Sequence, residues 1–174
     1  MMNRRLRQTR HAFTLIEILI VVVILGVLAA IIVPQFTSAS HEARESTLKD
    51  CLRYLRTQMV VFKAQHRDVA PGFPNCDPSQ TPDQTTFITQ MTLCSDELGN
   101  GNSVPTDVFH YGPYLSQMPA NPVNALPGIL VVNAPVMPAP DPSQPYGWIY
   151  NAQTMEIIPN LTGKDSGGML YSSY

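Results

Sequence analysis

From Leu15 to Val33 the chain shows no alternation of polar and apolar positions. Apart from Glu17 near its start, the stretch is aliphatic, alanine or glycine throughout. Roughly 19 helical residues at 1.5 Å each reach about 28 Å, close to the hydrocarbon thickness of a bilayer, so the segment is long enough to span one. Past Pro34 the pattern becomes periodic. Leu48, Leu52, Leu55, Met59 and Phe62 recur at spacings of four, three, four and three, which is one stripe of an amphipathic helix. Glu45 and Lys49 are spaced for an exposed i,i+4 pair on that helix. Pro71-Gly72 ends the pattern, so a long helix is predicted from Phe13 to about Arg67. Its first half suits apolar surroundings and its second half suits the flank of a folded head. Pro34, which removes a helix hydrogen bond and crowds the preceding turn, either kinks this helix or marks its exit from the bilayer.

Near Asp68 the character of the chain changes. Fifteen of the sixteen prolines follow residue 70, which predicts loops and short strands rather than helices. Asn75 to Asp83 and Asn133 to Pro145 read as irregular loops. Gly147-Trp148-Ile149-Tyr150 and Met155-Glu156-Ile157-Ile158 flank a polar connection and predict a hairpin, with Gly128 to Asn133 as a third strand. Trp148 is expected in the core. The fold class is therefore α+β, a long N-terminal helix packed on a small antiparallel sheet of three or four strands. Four segments result: 1–12, basic; 13–36, apolar helix; 37–67, amphipathic helix; 68–174, proline-rich β head.

Charge fixes an expected orientation. Arg4, Arg5, Arg7 and Arg10 precede the span with no acid among them, so the positive-inside rule puts the N-terminus in the cytoplasm and the head across the membrane. Residues 41–67 carry six Lys and Arg against three acids, whereas from Asp68 onward there are nine acids and one base, Lys164. A head so acidic excludes general binding to phosphate backbones, and no nucleic-acid partner is expected. The four histidines are scattered, and no metalloprotease, nucleophile-elbow or phosphate-loop spacing occurs, so no catalytic residues are assigned and an enzyme is not expected. Asn160-Leu161-Thr162 matches a glycosylation triplet of a kind that is common by chance. Cys76 and Cys94 flank a loop-like segment and are candidates for a disulfide; Cys51, beside the apolar stripe, reads as a buried free thiol.

Glu17 needs a partner or an interface, since a charge inside a span costs about 2.5–3.5 kcal/mol. Ala12-Phe13-Thr14-Leu15-Ile16-Glu17 resembles the processing signal of type IV prepilins and pseudopilins, in which a basic leader ends at a small residue before Phe-Thr-Leu-Ile-Glu; Ala12 stands where Gly is usual. The resemblance implies that a prepilin peptidase cuts between Ala12 and Phe13, removes 1–12 and N-methylates Phe13. Seven basic and thirteen acidic residues then remain. It also implies that Glu17 pairs with the Phe13 ammonium of a neighbouring subunit during assembly. On the residues alone, Glu17 also fits a position at the headgroup level of a plain anchor.

In the head, Gly112-Pro113-Tyr114-Leu115, Pro119, Asn121-Pro122-Val123-Asn124 and Gly147-Trp148-Ile149-Tyr150-Asn151 resemble the major pseudopilins of type II secretion systems (the G-type). A departure is Met155, where similar hairpins place Gly; its side chain disfavours a positive φ, so a different turn is expected. The resemblance implies a homo-oligomeric filament on the inner membrane that drives protein secretion, with an assembly platform and minor pseudopilins as partners. The alternative is a type IV pilin of a surface fibre for adhesion, twitching or DNA uptake. Many major pseudopilins bind calcium, for which Asn121, Asn124 and Asp141 are the candidates here. Calcium takes six to eight oxygens, commonly several from carboxylates, and with one acid in the set these residues read first as turn formers, leaving no cofactor assigned.

Overall fold

A computed structural model describes residues 13–174, apart from the side chains of Pro34 and Thr37. The basic leader and Ala12 lie outside the described residues. Two compact units are distinguished, ending and beginning at Ser40 and His41, and α1, Leu15–Gln65, contributes to both.

In the first unit the helix begins where Thr14 caps it. The large apolar side chains from Leu15 to Val33 are all exposed, as befits a helix that is apolar on every side. Among the described residues it alone has the length and composition to cross a membrane. The helical assignment runs through Pro34 without interruption.

The second unit is built on the amphipathic part of α1. Leu48, Leu52, Leu55, Met59 and Phe62 are fully buried, as their spacing requires. The helix ends at Gln65, two residues earlier than its pattern predicts, because Arg67 and Asp68 turn into the left-handed region (φ 54° and 60°). A single-turn 3-10 segment, Pro74–Cys76, follows. Then comes α2, Gln84–Thr92, a helix where proline-rich loop was expected. Asp83 explains it: its carboxylate accepts from the Thr86 N–H at 3.0 Å and caps the helix, which buries Phe87, Gln90 and Met91.

Short strands β1 (Cys94–Ser95) and β2 (Gly101–Asn102) pair antiparallel. The main sheet has the order β3 (Ile129–Val132), β4 (Trp148–Asn151), β5 (Glu156–Pro159). The hairpin β4–β5 is antiparallel as expected, with Ile149 opposite Ile158. β3, however, runs parallel to β4, with Ile129 opposite Trp148, which corrects the all-antiparallel expectation. Parallel neighbours need a return crossover of about a dozen residues or more, and the proline-rich 133–147 segment supplies one. Central β4 is buried at all four positions, and its Trp148 donates Nε1–H to the Pro119 carbonyl at 2.8 Å. A Cβ on Gly147 would collide with the Leu126 carbonyl, so only glycine lets that loop approach the strand.

Two further expectations are corrected. Met155 does adopt a positive φ (58°), and its side chain packs on the core, which offsets the strain of that conformation. Cys76 and Cys94 are both buried free thiols rather than a disulfide. Cys76 lies in the main core facing Gly99, whereas Cys94 pairs with Asn102 in β1. Cys51 is a half-buried free thiol against the core.

Candidate functional site

The N-terminal constellation is organised by Thr14. Its main-chain N–H and its hydroxyl both donate to the Glu17 carboxylate at 2.8 Å, while the Glu17 N–H donates back to Thr14 Oγ1 at 3.3 Å. This is a reciprocal capping box, Thr-x-x-Glu, which satisfies helix-end donors that would otherwise be orphaned. Glu17 is thus held at the end of the apolar helix by its own chain. Phe13 stands beside it, 82 % exposed. Phe13, Thr14, Leu15, Ile18, Leu19 and Val22 line a shallow open apolar hollow.

A second polar cluster, absent from the sequence reading, ties residues 165–174 to α1. Glu45 is buried, not part of an exposed pair with Lys49. It accepts from the Ser166 N–H (3.1 Å), the Ser166 hydroxyl and the Tyr171 hydroxyl (2.8 Å). The Ser166 hydroxyl above all holds the Glu45 carboxyl below its usual range. Burial, then Glu45, pushes the Tyr171 phenol up to about 12. Lys49 instead reaches Asp165 at 3.2 Å and lies over the Tyr174 ring, 4.4 Å from its centre. Asp165 also accepts from the Tyr174 hydroxyl and, at 2.7 Å, from the Met169 N–H. Led by the Tyr174 contact, these bonds lower its carboxyl to about 2. Arg56 completes the attachment by donating to the main-chain oxygens of Tyr174 (2.6 Å) and Ile157 (2.9 Å).

The calcium candidates have other work. Asn121 donates to the Gly147 carbonyl (2.9 Å) and accepts from the Val123 N–H (2.9 Å). Asn124 accepts from the Leu126 N–H, and Asp141 accepts from the Ser143 N–H and hydroxyl. The bonds to Val123, Leu126 and Ser143 are turn-forming, whereas the Asn121 amide crosses to Gly147, and Asp141 is the one carboxylate of the set. Among the described residues no group of three His, Cys, Asp or Glu converges to hold a metal. Asn160 is buried with its amide bonded to Asp141 and Tyr146, so the glycosylation triplet presents no free acceptor. His66, stacked on Phe62 and 3.0 Å from the Ser95 hydroxyl, is wholly buried and is a core residue.

Comparison with known proteins agrees with this geometry. Residues 7–33 match the prokaryotic N-terminal methylation motif. The chain is similar to the type II secretion system core protein G of Pseudomonas aeruginosa, 40 % identical over 57 residues, which cover 33 % of this chain and 40 % of that protein. It is also similar to the type IV narrow pilus major component PilA5 of Thermus thermophilus, 37 % identical over 65 residues, covering 37 % and 53 %. The chain therefore spans about half the length, or less, of these relatives, and neither name is that of an enzyme. No solved structure matches.

Proposed function

We propose that this type IV pilin-like chain is a structural, non-enzymatic subunit of a pseudopilus that drives type II secretion. The apolar helix anchors it in the inner membrane with its N-terminus in the cytoplasm and its head outside. A prepilin peptidase cuts between Ala12 and Phe13 and methylates Phe13, and an assembly platform with minor pseudopilins then incorporates the subunit into a homopolymer. The observation that carries this reading is the Thr14–Glu17 capping box at the head of a helix exposed and apolar on every side. It puts a fixed carboxylate one turn from Phe13, whose ammonium after cleavage would be the complementary charge for a neighbour's Glu17. Pro34 is proposed as the point where the helix opens on assembly. A surface pilus is the second reading, favoured by the similarity to a pilus major component.

Glu17→Gln tests the proposal cleanly, because Gln also serves in a capping box and keeps the helix start while removing the charge. The expected product has the intact mass of a chain beginning at N-methyl-Phe13, is membrane-inserted, and fails to polymerise or support export. Wild-type levels of filament and export at equal expression would refute the pairing role. An uncut chain, or a cut after Ala30, would refute the prepilin reading.

A further inference from the structure

Two surfaces of the head differ in chemistry and are anchored at different positions along α1. The first is a cleft of about 520 Å³ beside α1. Leu52, Met169 and the Tyr174 ring give it an apolar lining, and Lys49, Arg53 and Arg56 give it a cationic rim. Among the described residues the Arg53 side chain is bonded only in an exposed i,i+3 pair with Asp50, a kind of pair worth little in water, so its guanidinium keeps positive charge at the rim, whereas Lys49 is paired with Asp165 and Arg56 with the Ile157 and Tyr174 main-chain oxygens.

The second surface is the loop 96–110. Its base is closed by Ser95 and Tyr111, which exchange main-chain hydrogen bonds at 2.9 and 3.1 Å. Its tip presents Val104 and Val108, 59 % and 61 % exposed, around the exposed Asp107, and Glu97, also exposed, lies in the turn between β1 and β2. No Lys or Arg occurs between Asp68 and Lys164, so nothing cationic on the loop offsets these acids. Two exposed valines flanking a carboxylate are the chemical counterpart of an apolar cleft with a cationic rim.

Position makes the match directional. The loop base is held at the end of α1, where the Ser95 hydroxyl meets His66, whereas the cleft lies at Lys49 to Arg56. Ten to seventeen helical residues separate them, or about 15–25 Å along the axis. Complementary patches displaced along one axis make a heterologous contact, and a heterologous contact that does not close on itself builds an open helical polymer.

We propose that loop 96–110 of one copy seats in the Lys49–Arg53–Arg56 cleft of a second copy, with Asp107 meeting Arg53 and the two valines meeting Met169 and the Tyr174 ring. This rests on the reading that the chain polymerises, and it names the contact between heads. The test uses full-length processed protein in membranes. Two chains are co-expressed, one carrying Thr57→Cys and the other Val108→Cys, and are oxidised mildly; wild type, whose own thiols are buried or half-buried, sets the background. The expected result is a Thr57–Val108 cross-linked heterodimer, with neither single variant cross-linking to itself. In parallel, Asp107→Arg and Arg53→Asp should each lower sedimentable polymer about fivefold, and the double variant should recover most of it. Polymer without the heterodimer, or no recovery in the double variant, overturns the contact and leaves the filament reading standing. Wild-type protein that gives no sedimentable polymer overturns both.

Discussion

Leu25 and Leu55 belong to one continuous helix, yet the first is 58 % exposed and the second wholly buried. The segment before Ser40 is apolar on every side and has no core of its own, so its apolar surface is answerable to surroundings outside the chain. The head from His41 onward buries one stripe of the same helix in a core shared with the three-stranded sheet and a second helix. The lesson is that equal hydrophobicity does different work in the two regions: association in one, folding in the other.

The largest effect separating them is expected from one substitution made twice. Leu55→Ala should destabilise the head by about 2–5 kcal/mol, through lost burial and the cavity left behind. Leu25→Ala should shift the same transition by less than about 0.5 kcal/mol. Denaturant unfolding of the full chain in detergent, followed by Trp148 fluorescence, reads both. Equal losses would erase the distinction between the regions.

A smaller effect probes how the head closes loops that prolines cannot close. Proline has no N–H to give, and buried side-chain amides take over as donors to loop carbonyls. Asn121 serves Gly147, Asn151 serves Ala134, and Asn160 serves Asp141 and Tyr146. Asn160→Ala removes the partner of the Tyr146 carbonyl and of the Asp141 N–H, while the Asp141 carbonyl keeps the Gln144 N–H, and should cost about 1–3 kcal/mol in the same unfolding assay. An unchanged midpoint would show that water replaces the amide.

The smallest effect concerns the attachment of residues 165–174. The Asp165 carboxyl is depressed to about 2 in the folded chain by the Tyr174 hydroxyl first, then the Met169 N–H and Lys49. Its bonds therefore favour folding fully above the unfolded-state value near about 4, and that contribution fades as pH falls from there toward 2. Asp165→Asn should flatten that part of the pH–stability curve and leave the slope above pH about 5 alone. A variant curve parallel to wild type across the acid range would exclude Asp165 as the titrating group.

What could be read from the sequence divides along the same line. The apolar helix, its buried stripe, the β4–β5 hairpin and the core position of Trp148 were legible, because each is written in local periodicity or β-rich composition. α2 was hidden by averaging: the region is rich in proline, but residues 83–104 contain none, and Asp83 three positions before Thr86 was the overlooked cap signal. The direction of β3 was not legible, since strand pattern carries no information about which way a distant partner runs. Glu45 misled for a similar reason. Its spacing to Lys49 is that of a surface pair, and its partners lie 121 and 126 residues away. At the N-terminus, Thr14 and Glu17 were read for a charge partner in another copy, and the capping box between them was missed although Thr-x-x-Glu is its signature.

The reach of the Glu45 bonds bears on the order in which the molecule is made. The helix that carries Glu45 leaves the ribosome more than a hundred residues before Ser166 and Tyr171, and until those arrive its carboxylate lacks the donors that cover it. The head cannot mature stepwise along the chain. The corner of the head around Glu45 closes only once residues 165–174 have been made, a step of large sequence separation and therefore a slow one. A chain cut short before Asp165 would leave the Glu45 carboxylate without those donors.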